Sequence, residues 1–155
     1  MRVLLPIDGS VFSEAAIDEV TNRPWPSGTE VRIVTAAEIP IVIGLEPWAV
    51  TPIYFEQLEG AVRDSAAALV ENAITKLKSK KTPLRISCAV LEGSPRETIV
   101  DEADRWGADL IVMGSRGLGA WGRLLLGSVS NAVVHHAKCS VEIVRKRETR
   151  ETNGN

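Results

Sequence analysis

The chain has 155 residues, 45% of them hydrophobic, which is enough for one core and short for two. Its formal net charge of −2 argues against broad nucleic-acid binding, because neutralising many phosphates takes a concentrated excess of Lys and Arg. No apolar run approaches the ~20 residues of a membrane-spanning helix, and Met1-Arg2 leads into strand-like sequence with no signal-peptide core of ~7 to 15 residues; the expectation is a cytoplasmic protein that partners neither nucleic acid nor membrane.

Val3 to Ile7 is a short apolar run broken only by Pro6, with Asp8-Gly9-Ser10 as the turn that follows. Proline removes a ladder hydrogen bond, so Pro6 is expected where strand pairing is ending. Ser10 is placed to N-cap a helix reaching about Asn22, with Phe12, Ala15, Ala16, Ile17 and Val20 as its apolar positions. Pro24, Pro26 and Gly28 stop that helix. Glu30 to Ala37 reads as a second strand, in which Val31, Ile33 and Val34 supply β-branched bulk. Between 39 and 54, Pro40, Pro47, Pro52 and Gly44 interrupt the apolar residues and no period wins, so a connecting loop that gives apolar cover is expected.

From about Phe55 to Lys80, Leu58, Val62, Ala66, Leu69, Val70, Ala73, Ile74 and Leu77 recur with helical spacing. Lys76, Lys78, Lys80 and Lys81 then complement the negative end of that helix. Leu84 to Leu91 is a third strand. In Ser94-Pro95-Arg96-Glu97 an N-cap, a proline suited to the first helical position and a capping-box Glu come together, predicting a helix that runs to Trp106 and stops at Gly107. Leu110 to Met113 is the fourth strand, residues 128 to 137 the last helix, and Val141 to Val144 the fifth strand. Residues 1–147 are expected to form one domain, and 148–155 a polar tail that frays. Cys88 and Cys139 fall at strand or strand-entry positions without C-x-x-C spacing and are expected to be buried free thiols.

This alternation predicts an α/β fold: a single open, doubly wound, five-stranded parallel sheet with helices on both faces. Strand order 3-2-1-4-5 would set the first and fourth strands side by side at the switch point, where such sheets bind ligands beyond the strands' carboxyl ends. Asp8 follows the first of those strands and Gly114 ends the other.

The stretch after the fourth strand carries Gly114, Gly117, Gly119 and Gly122, then Gly127-Ser128 at the start of the last helix. A glycine loop feeding a helix N-terminus turns free backbone N–H groups toward an anion, phosphate above all. No Gly here is followed by Lys and then Ser or Thr, so this is not a Walker A loop. Gly117 to Gly122 does spell G-x-G-x-x-G. The dinucleotide fingerprint, however, needs a helix to open at once and an acid at the end of the next strand, and Glu142 lies inside its strand.

What remains is Gly114-x2-Gly117-x9-Gly127-Ser128. Together with Leu4-Leu5-Pro6-Ile7-Asp8-Gly9-Ser10, it resembles the ATP-binding branch of the universal stress protein family, whose pattern is G-x2-G-x9-G-[ST], over about residues 1 to 147. The resemblance implies a stress-response regulatory or sensing module that binds ATP, or ADP or AMP, with Mg2+ held through the phosphates. It places Pro6, Ile7 and Asp8 at the adenosine end, Asp8 bonding the nucleotide directly or through water. Ala36 would offer backbone atoms to adenine, and Met113 and Gly114 would pack against the nucleoside. Arg116 and Gly117 would approach the phosphates, and Gly127, Ser128, Val129 and Ser130 would bind them. It further implies a homodimer through Val141 to Val144, although Ser140 stands where a proline often occurs and Glu142 charges a usually apolar strand.

Taken singly, each residue has a plainer role: the glycines as tight turns, Ser128 as a helix cap, Asp8 as a turn acid. Hydrolysis would need a base or a metal-bound hydroxide. Counting about 1.5 Å of rise per residue, His135 lies ~12 Å along the last helix from Gly127, and Asp8 alone is a thin constellation. A binding protein with at most slow turnover is therefore expected. The alternatives are an ATP-consuming ligase or transferase of a related α/β fold, and a protein-interaction subunit that does not use its pocket.

Overall fold

The computed structural model describes residues 1–38, 52–79, 84–118 and 126–146. Along these, β1 (Arg2–Pro6), α1 (Val11–Asn22), β2 (Glu30–Ala37), α2 (Pro52–Lys78), β3 (Arg85–Glu92), α3 (Pro95–Trp106), β4 (Leu110–Gly114), α4 (Ser128–His136) and β5 (Ser140–Val144) follow one another. The strands form one parallel sheet in the predicted order, β3-β2-β1-β4-β5.

Side-chain alternation on the strands builds two cores. Val3, Leu5 and Ile7 of the first strand region, with Val31, Ile33 and Val112, pack against Ala16, Ile17 and Val20 of α1 and Val70, Ala73 and Leu77 of α2. On the other face Leu4, Val34, Ile111 and Met113 meet Ile99 and Ala103 of α3 and Val133 of α4. Val3, Leu4, Leu5, Ile33 and Ile111 are fully buried, as the middle strands of a sheet covered on both faces must be.

The local signals act as their chemistry requires. Ser10 caps α1, its Oγ accepting from the Ser13 N–H at 3.1 Å. Pro95 opens α3, and Gly107 closes it in the left-handed conformation at φ 68°. Pro6 is the last residue of β1. The next amide, that of Ile7, bonds the Val34 carbonyl of β2 at 2.8 Å, so the donor Pro6 lacks would have faced β4. Pairing of β1 with β4 runs only through Val3 and Leu4. The proline thus sits where the two strands part and a crevice opens.

Four expectations need correction. Helix α2 begins at Pro52 and ends at Lys78, so residues 52–54 are helical where a loop was expected; proline suits a first turn because the N–H it lacks has no helical partner there. The rest of the expected 39–54 loop, Lys80, Lys81 and the 148–155 tail lie outside the described residues. Ser94 makes no side-chain cap bond; the Glu97 and Thr98 amides bond its backbone carbonyl at 3.1 and 3.0 Å, so the capping box is not formed. Cys88 is exposed and Cys139 half-buried. Cys88 stands on the edge strand β3 and Cys139 just before the edge strand β5, where burial is incomplete, and desolvation pushes the Cys139 thiol up from its ordinary pKa. Lys76 is also more than a solvated helix end: it pairs with Glu14 of α1 and lies 3.8 Å from Asp18.

Glu142 of β5 finds its partner on α1. Arg23, the C-cap of that helix, holds both Glu142 oxygens at 2.8 and 2.5 Å and Glu19 at 2.7 Å. The bonds to Glu142 first, then Glu19, hold the guanidinium pKa well above its ordinary value. The charge in the last strand therefore ties β5 to α1.

Candidate functional site

Reversal of strand order between β1 and β4 leaves a cleft of about 850 Å³ beyond the strands' carboxyl ends. All twelve residues singled out from the sequence line it: Pro6, Ile7, Asp8, Ala36, Met113, Gly114, Arg116, Gly117, Gly127, Ser128, Val129 and Ser130. Asp8 and Gly117, far apart in the chain, come together across the switch point. Gly119 and Gly122 lie outside the described residues.

Helix α4 supplies the positive end of the cleft. Its N-cap is Gly127, which has no side chain to offer, and its first backbone bond runs from the Asn131 N–H to the Gly127 carbonyl at 2.9 Å. The amides of Ser128, Val129 and Ser130 therefore have no acceptor within the helix. Gly127 itself is anchored, its N–H donating to the Ser115 carbonyl at 2.8 Å. Ser128 is exposed and lines the cleft.

Ser130 engages its hydroxyl within the protein. It is buried, and its hydroxyl donates toward the Ser115 carbonyl at 2.9 Å and the Gly127 carbonyl at 3.0 Å. That hydrogen tethers the end of β4 to the first turn of α4, leaving the Ser130 backbone amide as the donor that can face a ligand. Arg116 carries positive charge along the wall, its guanidinium 4.9 Å from the centre of the Phe12 ring.

The glycines now have separate causes. A Cβ at Gly114 would stand 2.6 Å from both the backbone carbon and the oxygen of Phe12, so β4 can reach the first turn of α1 only without a side chain there. A Cβ at Gly127 would come 3.2 Å from the Arg116 Cα, a tight but smaller conflict. At Gly117 the neighbour is the Asp8 carboxylate, whose Oδ2 lies 2.6 Å from the would-be Cβ.

Sequence reasoning missed the wall opposite the loop. Helix α2 contributes Ala61, Val62, Ser65, Ala66 and Leu69, and Thr35 and Pro95 also line the cleft. Val62, Ala66 and Leu69 fell within the helix's apolar stripe; the small residues at 61, 65 and 66 were the one visible hint that something approaches that face. Among the described residues there is no group of three or more His, Cys, Asp or Glu side chains arranged to hold a metal, and no helix long and apolar enough to cross a membrane. His135 keeps its Nδ1 2.8 Å from the Asn131 carbonyl, at the far end of α4.

Known proteins share both sequence and architecture with this chain. A universal stress protein of Thermus aquaticus is 36% identical over 149 residues, covering 92% of this chain and 97% of that protein. The solved structure of the hypothetical protein MJ0577 superposes with a TM-score of 0.79 at 24% identity, over 96% of this chain and 97% of that one, and so shares the fold. A universal stress protein solved in complex with cAMP superposes at 0.63 with 27% identity, over 93% and 96% of the two chains. Residues 1–145 match the sequence profile of the universal stress protein family, and the chain belongs to that family.

Proposed function

We propose that this cleft binds an adenine nucleotide, ATP with ADP and AMP as its relatives, and that the protein acts as a stress-response regulatory or sensing module. The observation that carries this reading is the start of α4. Three amides without helical acceptors, a side-chain-free N-cap and the positive end of a nine-residue helix open onto one concave wall. Such an end favours an anion. Arg116 adds charge beside it, and the apolar wall of Ile7, Ala36, Val62, Ala66 and Met113 suits a flat base. The universal stress protein solved with cAMP, itself an adenine nucleotide, supports the choice of base.

Phosphates belong at Gly117, Gly127, Ser128 and the amides of Val129 and Ser130. The nucleoside belongs toward Pro6, Ile7, Ala36, Met113 and Gly114. A Mg2+ ion would be held chiefly by the phosphates. The residues on this wall bind and orient, so at most slow turnover is expected. Calorimetric titration with ATP should give saturable binding, and Arg116→Glu combined with Gly117→Val should abolish it. Unchanged affinity in that double variant would defeat the site assignment.

We propose further that two copies pair along β5. The strand is an edge of the sheet, its residues from Val141 to Val144 are half-buried, and Glu142 is engaged by Arg23. Light scattering across a dilution series should report twice the monomer mass at high concentration. A monomer mass at every concentration would remove the proposal.

A further inference from the structure

We infer that Asp8 is a positioning residue, a latch that presets the phosphate loop before any ligand arrives; this rests on the nucleotide reading of the cleft. Its carboxylate is engaged on both oxygens. Oδ1 accepts the Ser10 N–H at 3.0 Å, and Oδ2 accepts the Leu118 N–H at 3.1 Å. The first bond fixes the carboxylate to the turn after β1. That turn is itself fixed to α1, because the Ser10 hydroxyl caps the helix at the Ser13 amide. The second bond reaches across the switch point to the glycine loop, 110 residues away in sequence.

The Leu118 side chain is 74% exposed and contributes almost no packing. A hydrogen bond to a charged acceptor is stronger than a neutral one, so the Asp8 oxygen is the dominant restraint on this amide. Gly117 fits the same account. It is not among the glycines with positive φ, which among the described residues are Gly9, Gly28, Gly93 and Gly107, so backbone conformation does not demand glycine there. A Cβ there would stand 2.6 Å from the Asp8 Oδ2, so a side chain at 117 would have to displace the carboxylate.

A latch also resolves an electrostatic difficulty. A carboxylate aimed at a phosphate chain repels it, whereas one turned onto two backbone amides has part of its charge offset and directs the loop. Asp8 would then raise affinity through preorganisation. If the latch fails, only a fraction of molecules holds the competent loop, and apparent affinity falls by that fraction.

The test is Asp8→Asn in the full chain. The amide keeps the shape but offers one acceptor oxygen where the carboxylate offers two, so one of the two N–H groups meets an NH2. In the nucleotide-free protein, hydrogen exchange at the Leu118 amide should accelerate about tenfold or more. In stopped-flow binding of ATP, Kd should rise about tenfold through slower association, with the dissociation rate within about twofold of wild type. Gly117→Ala, which pushes the carboxylate away from the other side, should reproduce both effects. Unchanged Leu118 exchange in both variants would overturn the latch. So would an affinity loss carried by faster dissociation, the signature of a direct contact from Asp8 to the nucleotide. If wild-type protein binds no nucleotide at all, the functional reading falls, and the exchange experiment still decides the latch.

Discussion

Ser128→Pro should weaken ATP binding by at least about tenfold while moving the thermal midpoint by no more than a few degrees. Ser128 is the first residue of α4, and a proline at that position loses only an N–H that the helix itself does not use. The residue before it must be extended, and Gly127 already is, at φ −75° and ψ 165°. The helix therefore tolerates the change. The proposed ligand does not, because one amide and one hydroxyl vanish from the phosphate wall together. A hydrogen bond to a charged partner contributes about 1.5–3 kcal/mol, and about 1.4 kcal/mol is a factor of ten in affinity. Ser128→Ala, which keeps the amide, should lose less. Calorimetry beside a melting curve separates the effects; full affinity in Ser128→Pro would mean that the α4 terminus does not hold the phosphates.

The largest stability effect is expected far from the cleft. Glu102 of α3 is 4% exposed, and its Oε1 lies 2.6 Å from Arg32 Nε of β2. The two atoms are close enough for an ion pair but not aligned as a hydrogen bond. Arg105 holds the other oxygen through Nε at 2.9 Å and Nη2 at 2.5 Å, and the Arg32 guanidinium lies 5.8 Å from the Trp106 ring centre. Glu102→Ala takes the ion-pair partner from the half-buried Arg32 guanidinium and leaves it beside the Trp106 ring. A loss of about 3 kcal/mol is expected, read as a lower urea midpoint at unchanged slope. Removing both charges, as in Arg32→Met with Glu102→Leu, should recover most of it, since an apolar pair of similar volume is often as stable as a buried ion pair. A single-variant loss below about 1 kcal/mol would show that water reaches Arg32 and screens it.

The architecture was legible because its signals are local and repeated. Alternating strand and helix patterns imply a parallel sheet, and Pro6, Asp8 and Gly114 mark strand ends that a switch point brings together. Gathering of the twelve residues on one cleft follows from that topology. The causes behind single residues were not legible, since each depends on a neighbour distant in sequence or on a detail of local geometry. Gly114 is glycine because of the Phe12 backbone, and Gly117 faces the Asp8 carboxylate. The Ser130 hydroxyl is directed by the Ser115 carbonyl. Cys88 reads like a core residue in a β-rich run, yet its strand is the sheet's outer edge, and edge position is a property of the whole fold. At Ser94 the capping-box letters are present, yet the side chain makes no cap bond and only the backbone carbonyl joins the first turn. The α2 wall was hidden because one helical stripe serves both core and cleft.

Amide-resolved NMR during titration with ATP tests the central claim most directly. If the nucleotide sits against α4 and the glycine loop, the N–H resonances of Ser128, Val129, Ser130 and Gly117 shift together and saturate at one stoichiometry, while those around Trp106 at the opposite end of the sheet stay in place. Saturable binding that leaves the α4 amides unmoved, or no binding at all, would contradict the account.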